Sequence, residues 1–314
     1  MSDIVPMQEQ KLIECVPNFS EGRRQAVIER ILDAISAHAV SVLNVHSDAD
    51  HHRTVVTLIG SPSAVSDAMF AGTQAAAQLI DLRQHRGQHP RIGAVDVIPF
   101  IPLRGVSFSE TVELARQFAQ RVGTELQIPV YLYDRAALRP DRRDLAQIRR
   151  PQYEGLYDKI ASDPFFAPDF GPRTLGPAGA VVVGARGPLI AFNVYLDTDN
   201  VDIARAMARA VRASSGGLPH VKALGLLVHG QAQVSMNLTD YRQTGLSAVL
   251  AAVQEQAAQF NVQVTHTEIV GLIPRQALLD FAAQQLKLRT PITPLVLEQQ
   301  IGLANGDFSD IQFE

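Results

Sequence analysis

The spacing of apolar positions along this chain switches repeatedly between the two-residue and the 3.6-residue period. Residues 11–19 read as a short strand ended by Pro17-Asn18. A helix is predicted from 21 to 37, because Val27, Ile28, Ile31, Leu32 and Ile35 fall on one face. Strands follow near 40–47 and 52–60. Ser61-Pro62 opens a second helix, with a capping hydroxyl and a proline where no N–H is needed. The apolar run from Ile92 to Ile101 reads as another strand. The order is β-α-β-β-α-β.

A further helix begins at Ser107, which forms a capping box with Glu110, and Val130-Tyr131-Leu132 is an extra strand. Residues 134–178 are dense in Pro, Arg, Asp and Gly, with one short helix near 145–149, and read as the boundary between halves. The β-α-β-β-α-β order then repeats: strand 189–196, helix 199–213, strands 221–228 and 232–240 about a His229-Gly230-Gln231 turn, helix 245–260, strand 262–270. A helix near 275–286 and an acidic tail close the chain. The repeat predicts an α+β fold, a tandem of two ferredoxin-like α/β sandwich subdomains over 1–178 and 179–314. In 232–240, Ala232, Val234, Met236 and Leu238 take one face. Gln233, Ser235, Asn237 and Thr239 take the other, which reads either as a solvated face or as the lining of a cleft for a polar heterocycle.

Composition narrows the classes. A chain of 314 residues that is 46% hydrophobic can bury a large core without crosslinks. The formal net charge of −4 supplies no overall positive field for nucleic acid or an anionic membrane. No apolar run approaches the length of a membrane span, and residues 1–11 lack a signal-peptide core, so a cytoplasmic location is expected. The single cysteine, Cys15, excludes an intrachain disulfide and reads as a buried structural thiol.

Chemistry concentrates in two polar clusters. In His85-Arg86-Gly87-Gln88-His89-Pro90-Arg91 the histidines are four apart, but Gly87 and Pro90 disfavour a helix, so a loop is expected. The second cluster, His46-Ser47-Asp48-Ala49-Asp50-His51-His52-Arg53, has donors too crowded to converge on one ion and reads as a solvated hairpin rim; no metal is expected. A glycine-rich stretch, Asp169 to Gly179, precedes a strand rather than a helix, which excludes a dinucleotide-binding turn. It reads either as a connector or as a clamp that meets a ligand with backbone groups.

The stretches ECVPNFSEGR (14–23), HRTVVTLIG (52–60), HRGQHPRIGAVDVIPFIPL (85–103), PVYLY (129–133), APDFGP (167–172), LIAFNVYL (189–196) and AQVSMNLTDY (232–241) resemble the formiminotransferase domain of glutamate formimidoyltransferases and formimidoyltransferase-cyclodeaminases. The resemblance implies two ferredoxin-like subdomains around a folate cleft, a homodimer, and a catalytic histidine that falls on His89. It also implies a folate-contacting loop that falls on Gly171, Pro172, Arg173, Thr174, Leu175, Gly176, Pro177, Ala178 and Gly179. The activity implied is formimidoyl transfer from N-formimidoyl-L-glutamate to N5 of tetrahydrofolate, the co-substrate, in histidine catabolism and one-carbon metabolism. The product would pass to a separate cyclodeaminase. Both substrates carry glutamate carboxylates, so Arg53 and Arg91 are expected to bind them. Asp96 is expected to stabilise the amidinium or orient His89, and Asn237 to contact substrate. The competing readings are formyl transfer from 5-formyltetrahydrofolate to glutamate, a folate-binding protein without turnover, and a metal-dependent hydrolase using His46, Asp48, Asp50 and His52.

Overall fold

The computed structural model describes residues 11–305. The polar segment 1–10 and the acidic tail from 306 onward lie outside the described residues. The chain divides into two compact units, Met1–Gly187 and Pro188–Glu314.

In the first unit the leading strand is split by Pro17 into β1 (Leu12–Cys15) and β2 (Asn18–Phe19). Helix α1 (Gln25–Ser36), strands β3 (Val40–Asp48) and β4 (Arg53–Gly60), helix α2 (Pro62–Leu79) and strand β5 (Val95–Arg104) follow. The β1/β2 strand pairs antiparallel with both β4 and β5, while β3 takes the outer side of β4. Helix α3 (Phe108–Arg121) carries the expected capping box, with Ser107 and Glu110 satisfying each other's backbone N–H. It leads to β6 (Val130–Asp134).

The segment read as a boundary is instead part of this unit. Helices α4 (Leu145–Arg149) and α5 (Gln152–Ser162) lie within it. Ile148, Tyr153, Leu156 and Ile160 are buried in the first core, and the last three are spaced for one helix face. Asp169 forms a buried ion pair with Arg142 (2.9 Å) and accepts the Leu132 N–H (2.8 Å). Strand β7 (Val181–Ala185) then runs parallel to both β5 and β6, so the units divide after Gly187 rather than at 178/179. A parallel partner needs a long crossover, and residues 134–180 supply it.

The second unit contains β8 (Ile190–Leu196), α6 (Val201–Val211), β9 (Val221–Val228), β10 (Gln231–Leu238), α7 (Leu246–Gln259), β11 (Val264–Val270), α8 (Arg275–Gln285) and α9 (Leu297–Asn305). Its sheet order is β11-β8-β10-β9, antiparallel throughout. His229 and Gly230 both have positive φ, as a two-residue hairpin turn between β9 and β10 requires. Ile190, Phe192, Val194, Val234, Met236 and Leu238 face the core against Ala204, Met207, Val249 and Val253 of the helices.

Candidate active site

The two polar clusters meet at one end of the first sheet. The loop after α2, residues 81–94, lies against the β3–β4 turn, and the two are joined by backbone as well as side chains. Gln88 donates its N–H to the Asp50 carbonyl (2.9 Å). The ring nitrogens of His52 lie 3.0 Å from the Arg86 carbonyl and 3.1 Å from a Glu21 carboxylate oxygen. A β-carbon on Gly87 would fall 2.4 Å from the His51 carbonyl oxygen, so only glycine allows this approach. The expected loop conformation of 85–91 is present. The hairpin rim is solvated only in part: Ser47 and Ala49 are exposed, whereas His51 is 4% exposed beneath the second loop.

His85 is buried between these loops. Arg91 donates from Nε to its Nδ1 (3.0 Å), which leaves Nε2–H to donate to the His52 carbonyl (2.9 Å). That fixes one neutral tautomer, and burial lowers its pKa to about 4. The His52 and His85 rings stack at 4.2 Å with 9° between planes.

Arg91 departs from its expected role. Its guanidinium forms a fork with the Glu154 carboxylate (2.8 and 2.7 Å), and it also reaches Gln152 (3.4 Å) and the His85 carbonyl (3.2 Å). All five guanidinium N–H donors are thereby engaged within the protein, leaving none for a substrate carboxylate. This arginine anchors the loop. Through the same contact Arg91 lowers the Glu154 pKa to about 2.

Asp96 is also turned inward. One carboxylate oxygen accepts the Ile92 N–H (2.9 Å) and the other lies 2.5 Å from an Arg149 Nη. Asp96 is 2% exposed and ties the end of the His89 loop to α4. Arg149, which the sequence reading left without a role, thus stands near His89.

His89 is half-buried, its ring 6.1 Å from that of His51. Burial, reinforced by the charges of Arg53, Arg149 and His51, pushes its pKa well below 6.5. Its ring is therefore uncharged at neutral pH.

The glycine-rich loop joins this assembly from the other side. Ala180 donates to the Ile92 carbonyl (2.9 Å), Ala94 to the Ala178 carbonyl (2.8 Å) and Leu82 to the Pro177 carbonyl (2.8 Å). Gly179 has φ +70°, and a β-carbon there would meet the Ile92 carbonyl at 2.2 Å. Gly171, Arg173, Thr174, Gly176 and Pro177 are exposed, whereas Leu175 and Gly179 are buried. The segment is therefore more than a connector: one end is sewn to the strand that follows His89, and its tip is open.

In the second unit the non-core face of the sheet carries a polar row. Asn193 donates to Glu268 (3.0 Å), the Tyr195 hydroxyl donates to the same oxygen (3.4 Å), and His266 stacks on the Tyr195 ring at 4.2 Å. Gln233 is fully buried, and neither of its amide atoms has a hydrogen-bond partner among the described residues. Asn237 lies on this face and is exposed.

Among the described residues no helix is long and apolar enough to cross a membrane. The model of the N-terminal subdomain of the formiminotransferase domain matches residues 12–186, and that of the formiminotransferase domain matches 191–304. A glutamate formimidoyltransferase from Thermoplasma acidophilum is 49% identical over 88% of this chain and 93% of its own length. One from Streptococcus pyogenes is 42% identical over 88% and 94%. The formimidoyltransferase-cyclodeaminase of Rattus norvegicus is 43% identical over 87% of this chain, which spans about half of that protein (52%). With both halves of the chain matched in order, and with identity this high over nearly the full length of two relatives, the chain belongs to the formiminotransferase family.

Proposed function

We propose that this protein is a glutamate formimidoyltransferase, moving the formimidoyl group of N-formimidoyl-L-glutamate to N5 of tetrahydrofolate and releasing L-glutamate. The observation that carries the reading is the setting of His89: a half-buried imidazole in a loop joined to the β3–β4 turn, where burial and the charges of Arg53 and Arg149 disfavour its protonated form. Relatives named for this activity support it.

The N5 lone pair attacks the amidine carbon. N5 loses a proton, the carbon–nitrogen bond to glutamate breaks, and the departing nitrogen gains a proton. A neutral histidine accepts the first proton and returns it to the second nitrogen, so one residue serves both steps. Arg53 is our proposed carboxylate-binding residue, since the charge it presents near His89 suits the glutamate end of the donor. The exposed tip Arg173-Thr174 is proposed to meet folate, with the sewn end of the loop holding it in register. Asn237, on the polar face of the second sheet, remains a proposed substrate contact. Asp96 and Arg91 become positioning residues for the His89 loop.

Strand order supports a ferredoxin-like reading of both units. Counted within its own β-α-β-β-α-β set, each sheet runs 4-1-3-2, and the first adds two parallel strands beyond position 4. A homodimer in the cytoplasm belongs to the same proposal. So does a cyclodeaminase activity acting on the product, suggested by the rat relative, whose name joins the two activities.

The test is a spectrophotometric assay for 5-formimidoyltetrahydrofolate with N-formimidoyl-L-glutamate as donor. Turnover with this donor is expected. Turnover only with 5-formyltetrahydrofolate and glutamate, or folate binding with no turnover of either pair, would overturn the proposal.

A further inference from the structure

Glu21 is wholly buried, although it sits in the loop that opens α1. One of its oxygens accepts the N–H groups of Gly22, Arg23 and Arg24 (3.1, 2.9 and 2.9 Å), and the other accepts Arg24 Nε (2.6 Å). Burial by itself raises its pKa, but these hydrogen bonds outweigh it and bring the group to about 2. Glu21 is therefore a fixed negative charge throughout the working pH range. The tight turn that leads into α1 explains the three backbone contacts, since Glu21 accepts the N–H groups of the three residues that follow it. It does not explain the next partner of that oxygen, His52 Nε2 at 3.1 Å, which belongs to a different loop.

From His52 the chain of contacts leads toward His89. Both His52 ring nitrogens face acceptors, the Glu21 carboxylate and the Arg86 carbonyl. The ring stacks on His85, and the His52 carbonyl accepts from His85 Nε2. His85 in turn accepts from Arg91, which Glu154 grips in a fork. The loop that carries His89 is thus held between two carboxylates, Glu154 after His89 and Glu21 before it, with a stacked histidine pair between them. Gly87 and the Gln88 N–H press the intervening backbone onto the β3–β4 turn.

We propose that Glu21 is a positioning residue for the transfer reaction, acting on His89 through His52 and the 85–91 loop. This rests on the reading of His89 as the proton-transfer group. A misplacement of about 1 Å at such a group costs on the order of 10²-fold in rate, so the link is measurable in turnover.

His52→Asn breaks the link while leaving the Glu21 turn before α1 intact, and asparagine tolerates the left-handed backbone at this position (φ 52°). Glu21→Gln is the second variant. Each is expected to lower kcat roughly 10- to 100-fold, with KM for both substrates within about threefold. His52→Asn should melt within a few degrees of the unaltered protein. In a His89→Ala background, single-turnover rates should fall by less than about twofold on adding either change, because both act through the missing imidazole. Near-normal kcat in both variants overturns the role, and so does an undiminished loss in the His89→Ala background, which would make the effect general. Wild-type-like turnover in His89→Ala alone would instead sink the His89 reading, and the two failures are thereby distinguished.

Discussion

His89 has an environment unlike that of a free histidine. Burial and neighbouring positive charge both disfavour its protonated form. An imidazole that stays neutral at physiological pH is poised to accept a proton, which suits deprotonation of N5 as the first transfer. His89→Ala should therefore lower kcat by about 10²–10⁴-fold while tetrahydrofolate affinity stays within a few-fold. The acid limb of the kcat/KM profile should lie well below pH 6.5, because the base is lost only when pH falls through its depressed pKa. A limb at or above pH 6.5 that disappears in a His89 variant would contradict this account. His85, four residues earlier, is tied on both ring nitrogens and has no lone pair to offer a substrate.

At the scale of elements, the His89 loop is held by parts of the chain far from it in sequence. Arg91→Ala removes a fork to Glu154 and contacts to His85 and Gln152, and should destabilise the protein by about 2–3 kcal/mol. Its kinetic effect should fall on kcat more than on KM, the reverse of what a carboxylate-binding arginine would give. Arg91→Lys should rescue poorly, since an ammonium cannot reproduce the planar fork. Kinetics and chemical denaturation of both variants check this; a rise confined to KM would return Arg91 to substrate binding. The glycine-rich loop divides in the same way. Gly179→Ala forces a side chain onto the Ile92 carbonyl at a positive-φ position and should cost stability and activity together. Arg173→Ala at the exposed tip should weaken folate binding with the melting temperature unchanged, as calorimetry and a thermal melt would show. Loss of fold in the tip variant, or normal folate affinity, would count against the clamp.

For the whole molecule, acid sensitivity follows from the buried groups. The folded-state pKa of His85 lies near 4 and its unfolded value near 6.5. Between these the unfolded chain binds the extra proton, so stability is complete above about pH 6.5 and declines as pH falls toward 4. The loss is on the order of 2–3 kcal/mol for His85, and His89 adds in the same direction. Glu21 and Glu154, both lowered to about 2, lose their contributions only as pH falls below the ordinary carboxylate range, giving a second, more acidic stage. Glu14, raised by burial, takes up its proton at a higher pH in the folded chain than in the unfolded one, so it opposes the first stage. Urea denaturation midpoints at neutral pH, pH 5.5 and pH 4.5 measure the first stage. Equal stability across that range would mean that the histidines are not held neutral.

The order of strands and helices was legible in the linear pattern, since binary periodicity and capping residues act over a few neighbours: Ser61-Pro62 and Ser107 with Glu110 start helices as their chemistry dictates. The family and the loop conformation of the His89 segment were legible for a related reason, because a loop with Gly87, His89 and Pro90 carries its constraint locally. What no local pattern decides is which distant groups become neighbours. Glu154 grips Arg91 across 63 positions, and Glu21 reaches His52 across 31, so an arginine that looks free to bind substrate becomes an internal anchor. The Asp96 side chain had two faces open to it along its strand, and the arrival of α4 with Arg149 chose one. The segment 134–178 misled because turn-forming residues dominate its composition. Its membership in the first unit depends on β7 returning in parallel between β5 and β6, a pairing between strands far apart in the chain. Local sequence chose the elements and the loop that carries His89, while long-range pairing chose the charges that surround it and so disfavour its protonated form.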